Sequence, residues 1–530
     1  MKKTSAKIKR PLWVASLNIG LALTVGSTQA FAGNITSVAE LLAVTGDSDY
    51  VLTKSLDLST AGATSNAEAI QLAGVGDNVN FDGVPVLKDG IQAVGSKTYI
   101  SEAFTGTLDG GGYTISGLTK PLFDEISSSE ISNLTLIANE STGVSGRGIL
   151  ANDSSATINN VNTIGDVLSE NNSVGGLVGQ SVGSISDSTA TGDVTGGSNV
   201  GGLVGVSGGS ISGSSSFGNV NGDISVGGLV GDSSGPILNS SASGVISGNF
   251  YVGGLVGNST SSISGSFAEG TVINNNFLTG GLVGYSAGNI SNSYATGDVT
   301  GNDNVGGLVG GSAGNITNSY ATGVVTGSGE YIGGLVGELE VGATISNSYA
   351  KTGTVTGTGD DEGDHGIGGL VGYSSGSISG SYAEGNVNGF EQVGGLVGST
   401  GVATEIIDSY ATGKVAGTYD VGGLVGLLDS GHTISNSYAT GNVTGEDDFG
   451  GLVGHSEGDI DNSYATGDVT SSSAEWCGCG DAGGLVGYSD GDITNSYASG
   501  DVRGAIMILV AWSVSSTNPE VSPTPTPQVM

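Results

Sequence analysis

Residues 280–301 read GGLVGYSAGNISNSYATGDVTG, and this stretch decides the fold because it recurs. Its opening pentapeptide, Gly-Gly-Leu-Val-Gly, begins at Gly175, Gly201, Gly227, Gly253, Gly280, Gly306, Gly333, Gly368, Gly394, Gly422, Gly450 and Gly483. Most of these twelve copies stand 26 to 28 residues apart, and two intervals are 35 and 33. A degenerate copy, Gly148-Ile149-Leu150-Ala151, lies about one period earlier. A fixed period of this size marks a solenoid, propeller or array. Each unit holds three short candidate strands, around VGGLVG, ISNSYA and DVT, separated by glycine or polar residues. No segment of the unit carries helical periodicity. The spacing therefore predicts an all-β, right-handed parallel β-helix of about 14 coils. Stacked at about 4.8 Å per coil, it would be a rod on the order of 65 Å long.

Columns compared across the repeats support this. Leu and Val of the pentapeptide are identical in all twelve copies, and the Ile of the second strand does not vary from Ile185 to Ile493. Stacked apolar residues are what a continuous solenoid interior requires. A serine fills one column completely, from Ser188 through Ser293 to Ser496, which points to a tight corner or a hydrogen-bonded stack. The next column begins Thr189, Ser215, Ser241 and then turns aromatic: Phe267, Tyr294, Tyr320, Tyr349, Tyr382, Tyr410, Tyr438, Tyr464 and Tyr497. Strict alternation from the buried Ile would turn these rings inward. A corner at the preceding Asn column would turn them outward, as a platform for sugar rings or a partner. The column that includes Asp193, Asn219, Asp298, Lys414, Asp468 and Asp501 suits an outward ladder with its acids mostly kept apart.

The repeats resemble the GLUG-motif family, named for the core seen here as Gly176-Leu177-Val178-Gly179. The resemblance covers about residues 148–504. It implies a bacterial secreted or surface protein, often adhesin-like, and brings no catalytic residues with it.

The flanks divide the chain further. Residues 1–32 read as a signal peptide: Lys2, Lys3, Lys7, Lys9 and Arg10 precede an apolar run, and Ala30-Phe31-Ala32 offers a cleavage site. Residues 33–147 read as an N-terminal cap and first coils, with a short helix over 37–44 N-capped by Ser37. The stretch from Phe104 to Ile115 is expected to form an early coil and Ile131 to Leu136 the next. After Gly504 the pattern stops. Under one codon choice, a one-base shift turns AIMILVAWSV into GNYDIGGLVG, so 505–530 is predicted to be out of frame or a disordered Thr/Pro tail.

Composition bounds the function. With 100 Gly and 37% apolar residues in 530, the chain is neither collagen nor a disordered linker. The predicted signal takes five of the 13 basic residues and no acid, leaving eight against 50 acidic residues, a net of −42. Such a surface repels nucleic acid and anionic lipid. No later run is long enough to span a bilayer. These features predict a secreted or cell-surface monomer, non-catalytic, that presents its solenoid to an extracellular glycan or protein. A passive matrix component, or a remnant of a larger surface protein, is the alternative.

Two long intervals mark insertions. The first holds Asp360, Asp361, Glu362, Asp364 and His365, which could bind calcium loosely, although the spacing matches no calcium loop. The second holds Cys477 and Cys479, which could close a local disulfide but cannot complete a zinc site alone. No resident cofactor is expected. The chain has three histidines, His365, His432 and His455, its eight mature basic residues are scattered, and no hydrolase, metalloprotease or phosphate-loop motif appears.

Overall fold

The computed structural model describes residues 33–42, 44, 48–59, 70–71, 78–79, 86–87, 91–92, 99–101, 103–127, 130–359, 366–402, 404–472, 480–503 and 507–508. It is an all-β solenoid. One coil, from Val283 to Gly306, illustrates the rest. Val283–Ser286 lies in a first sheet of 14 strands. Ile290–Ser291 and Tyr294–Ala295 lie in a second sheet of 31, and Val299–Gly301 and Asp303–Gly306 in a third of 24. Every pairing within these three sheets joins a strand to its equivalent one coil away, in parallel: Val283 faces Val309, Ile290 faces Ile316, Tyr294 faces Tyr320 and Val299 faces Val325. The first sheet has one strand per coil, so it spans about 13 turns.

Inward columns form one core. Leu282, Val283, Ile290, Ala295, Val299 and Val305 are all 0 or 1% exposed, as are their equivalents in neighbouring coils. The backbone ladder continues through the corner between the third and first sheets, where each Leu N–H donates to the Leu carbonyl of the next coil, as Leu282 to Leu308 at 2.8 Å.

Two expected strands are in fact corners. VGGLVG is not one strand: Ile332–Gly333 ends the third sheet and Val336 begins the first. The second glycine allows this by having no Cβ. A Cβ on Gly307 would lie 2.1 Å from the Gly334 carbonyl oxygen of the next coil. ISNSYA is likewise two strands, split at Asn292, whose φ is 50°. Asn and Asp tolerate this left-handed region better than other side chains. Asn318, Asn347, Asp408, Asn436, Asn462 and Asn495 repeat it, and glycine supplies it at Gly213, Gly265 and Gly380.

The expected capping helix is present over Val38–Leu42. Ser37 Oγ accepts the Glu40 N–H, and the Glu40 carboxylate accepts from the backbone N–H and hydroxyl of Thr36. Leu108–Asp109 and Thr114–Leu118 pair in parallel with Glu130–Ala138. In the expected tail, Met507–Ile508 pairs with Asp481–Ala482, so the ladder reaches past Gly504. The rest of 505–530 and the predicted signal lie outside the described residues. Among the described residues, no helix is long and apolar enough to cross a membrane.

Candidate functional site: an outward tyrosine ladder

The left-handed corner decides where the tyrosines point. Strict alternation would bury them, but the Asn turn reverses the chain for one residue. Ser293 and Ala295 on either side point inward at 0% exposure, and Tyr294 between them stands half-buried on the outer face. The same holds for Tyr320, Tyr349, Tyr382, Tyr410, Tyr438 and Tyr464, while Tyr497 is 50% exposed.

From Phe267 to Tyr464 successive rings stack at 4.8–5.0 Å between centroids with interplanar angles of 9° or less, and Tyr464 meets Tyr497 at 5.3 Å. Each ring therefore covers its neighbour's face. What the column offers outward is ring edges and hydroxyls, not the open ring faces a sugar would stack on. Burial pushes the hydroxyls of Tyr294, Tyr320, Tyr410 and Tyr438 above the usual phenol range, so they are neutral donors. Outward columns of Thr296, Thr412, Thr440 and Thr466 on one side and Asn292, Asn436 and Asn495 on the other flank the rings. Lys351 interrupts the polar border. Its ammonium lies 5.4 and 5.5 Å from the Tyr349 and Tyr382 ring centres and 3.3 Å from Glu384.

The remaining expected site residues cannot be placed relative to this face. Asp360, Asp361, Glu362, Asp364 and His365 lie outside the described residues, as do Cys477 and Cys479. In sequence, the first insertion separates Thr354–Gly357 from Ile367–Gly368 and the second separates Val469–Ser471 from Asp481–Gly483, all four of them strands of the third sheet.

The sequence reading missed a second cluster. His455 has Nδ1 3.1 Å from Asp448 Oδ2 and 3.8 Å from Asp420 Oδ1. Burial pushes the Asp420 carboxyl up to about 6, against the opposing pull of His455. The hydrogen bond to Asp448 holds the His455 imidazole above its ordinary range. Asp448 and His455 stand seven positions apart within one coil, and Asp420 lies 28 positions before Asp448, one coil period away.

The GLUG motif matches this chain nine times, at 170–195, 248–273, 275–300, 301–326, 363–388, 391–416, 417–444, 448–470 and 478–503. Nine coils of the solenoid carry the GLUG motif. Coils beginning at Gly201, Gly227 and Gly333 lie between those matches, yet they pair in the same register as their GLUG neighbours. Residues 83–165 match the N-terminal region of the M26 IgA1-specific metallo-endopeptidases. Among relatives, the chain is 40% identical over 99 residues to halomucin of Haloquadratum walsbyi, which covers 17% of this chain and 1% of halomucin. It is 34% identical over 158 residues to an immunoglobulin A1 protease of Streptococcus sanguinis, covering 27% of this chain and 8% of that one. A solved IgA1 protease structure aligns over 67% of this chain and 21% of its own, with 19% identity and a TM-score of 0.29. The chain thus spans only a small fraction of the relatives it matches.

Proposed function

We propose that this GLUG solenoid is a non-catalytic adhesive module, secreted or held at the cell surface, whose tyrosine-edged face binds an extracellular glycan or protein. The outward aromatic ladder carries this reading. Coil stacking does not demand it, because Thr189, Ser215 and Ser241 occupy the same column in coils that pair in the same register. A hydroxyl-rimmed aromatic stripe flanked by Thr and Asn offers apolar contact area and hydrogen bonds together, as adaptable recognition surfaces do. Resemblance to segments of halomucin and of an IgA1 protease supports an extracellular setting.

The test is a triple variant, Tyr320→Ser, Tyr349→Ser and Tyr382→Ser, which restores the residue of the early coils. Glycan arrays and cell-binding assays on the full chain are expected to show binding that the triple variant loses while its β-rich circular dichroism persists. Undiminished binding by the variant would exclude this face. Loss of thermal stability alone, with no ligand found for either form, would favour a passive structural ladder.

A further inference from the structure

At the edge where the third sheet turns into the first, two outward columns meet. One is the left-handed corner of the third sheet: Ser173, Asn199, Ser225, Tyr251, Leu278, Asn304, Tyr331, Gln392, Asp420 and Asp448, all at φ between 47° and 63°. The other belongs to the first sheet and includes Gln180, Asn258, Tyr285, Glu338, Leu427, His455 and Tyr488. Elsewhere the two columns satisfy one another without charge on the corner. Gln180 donates to Ser173 at 3.0 Å, and Tyr251 packs edge-on against Tyr285.

At one place this changes. The corner column turns acidic on successive coils, with Asp420 over Asp448, and Asp481 takes the next equivalent place. The facing column supplies its one histidine at that level. All three side chains are shielded: Asp420 is 19%, Asp448 25% and His455 24% exposed. Carboxylates stacked at ladder spacing repel, and burial makes the repulsion worse. The corner does not require them, because Asn and Ser hold the same backbone in other coils.

We propose that Asp420, Asp448 and His455 bind one divalent transition-metal ion, of the zinc, cobalt or nickel kind, clamping two successive coils. One ligand atom from each residue lies within 4.8 Å of the other two. Donors each about 2.2 Å from a common ion can be no more than about 4.4 Å apart. The two distances from His455 Nδ1, 3.1 and 3.8 Å, already meet that limit. A small rotation of either carboxylate brings in the third. An imidazole nitrogen with two carboxylate oxygens favours a borderline ion over calcium, which takes six to eight oxygens. Three protein ligands leave a coordination position open to water or to a partner's side chain. The Tyr488 ring packs against the His455 imidazole, with their centres 4.7 Å apart. Glu391, Asp447 and Glu457 add negative field around the pair.

The experiment titrates the full chain with zinc, cobalt, nickel and calcium, by calorimetry and by the visible spectrum of bound cobalt. Two variants use residues that the repeat itself places in these columns: the double Asp420→Asn, Asp448→Asn and the single His455→Tyr. Circular dichroism checks that each keeps the fold. One tight transition-metal equivalent is expected, weakened more than about tenfold in both variants. Calcium bound more tightly than zinc, binding unchanged in either variant, or no binding to the unaltered chain would each overturn the proposal. Adhesion does not enter these readouts, so the two proposals fail separately.

Discussion

At the scale of the residue, the corner serine shows how an unvarying column is enforced. A left-handed corner interrupts the strand and would leave a buried backbone N–H without a partner. Ser319 Oγ accepts the N–H of Ser293 in the preceding coil at 3.2 Å and donates to the Thr317 carbonyl of its own coil at 2.8 Å. Ser188, Ser214, Ser240, Ser266, Ser348, Ser381, Ser409, Ser437 and Ser463 repeat the arrangement. Substituting Ser319→Ala removes both bonds and orphans a fully buried N–H, which costs about 1–3 kcal/mol. Urea unfolding should show that loss. Thr322→Ala, on the outer face, should stay within about 0.5 kcal/mol. An equal midpoint for the two would refute the ladder's role.

At the scale of the coil, the second glycine of each pentapeptide is fixed by its neighbours, with no left-handed φ involved. A Cβ on Gly307 would meet the Gly334 oxygen at 2.1 Å and Ala321 Cβ at 2.9 Å, and the coils stacked above and below leave that backbone nowhere to move. Gly353 is different, since the nearest atom to a Cβ there is Val324 Cγ2 at 3.6 Å. Gly307→Ala should therefore lower the melting temperature sharply or prevent folding. Gly353→Ala should leave it unchanged or slightly raised, as expected where alanine only stiffens the unfolded chain. Thermal melts by circular dichroism would separate them, and a tolerated Gly307→Ala would contradict the corner geometry.

At the scale of the whole molecule, stability is a sum over coils and their interfaces, with neighbours touching only neighbours. The charge acts on all coils at once. At −37 for the full sequence, and with acids such as Asp193, Asp298, Asp468 and Asp501 displayed on the outer face, the folded rod repels itself along its length. Salt screens exposed charges beyond a Debye length of about 10 Å at 0.1 M. With a chelator present, raising sodium chloride from about 0.01 to 0.3 M should raise the melting temperature at neutral pH. A fall would mean that attractive pairs such as Lys351–Glu384 outweigh the repulsion.

The period, the Leu, Val and Ile columns and the parallel stacking were legible in the sequence. Each depends on identical side chains meeting their own copies one coil away, and a repeat states that directly. The capping helix was legible too, because Ser37 and Glu40 act within one turn. Which way the tyrosines point depended on the sign of φ at Asn292 and its equivalents. Only tertiary structure decided that, because alternation from Ile290 predicts the opposite face. The meeting of Asp420, Asp448 and His455 was also hidden. It requires two sheets to converge at one edge, and the repeat period by itself does not state which columns face one another there.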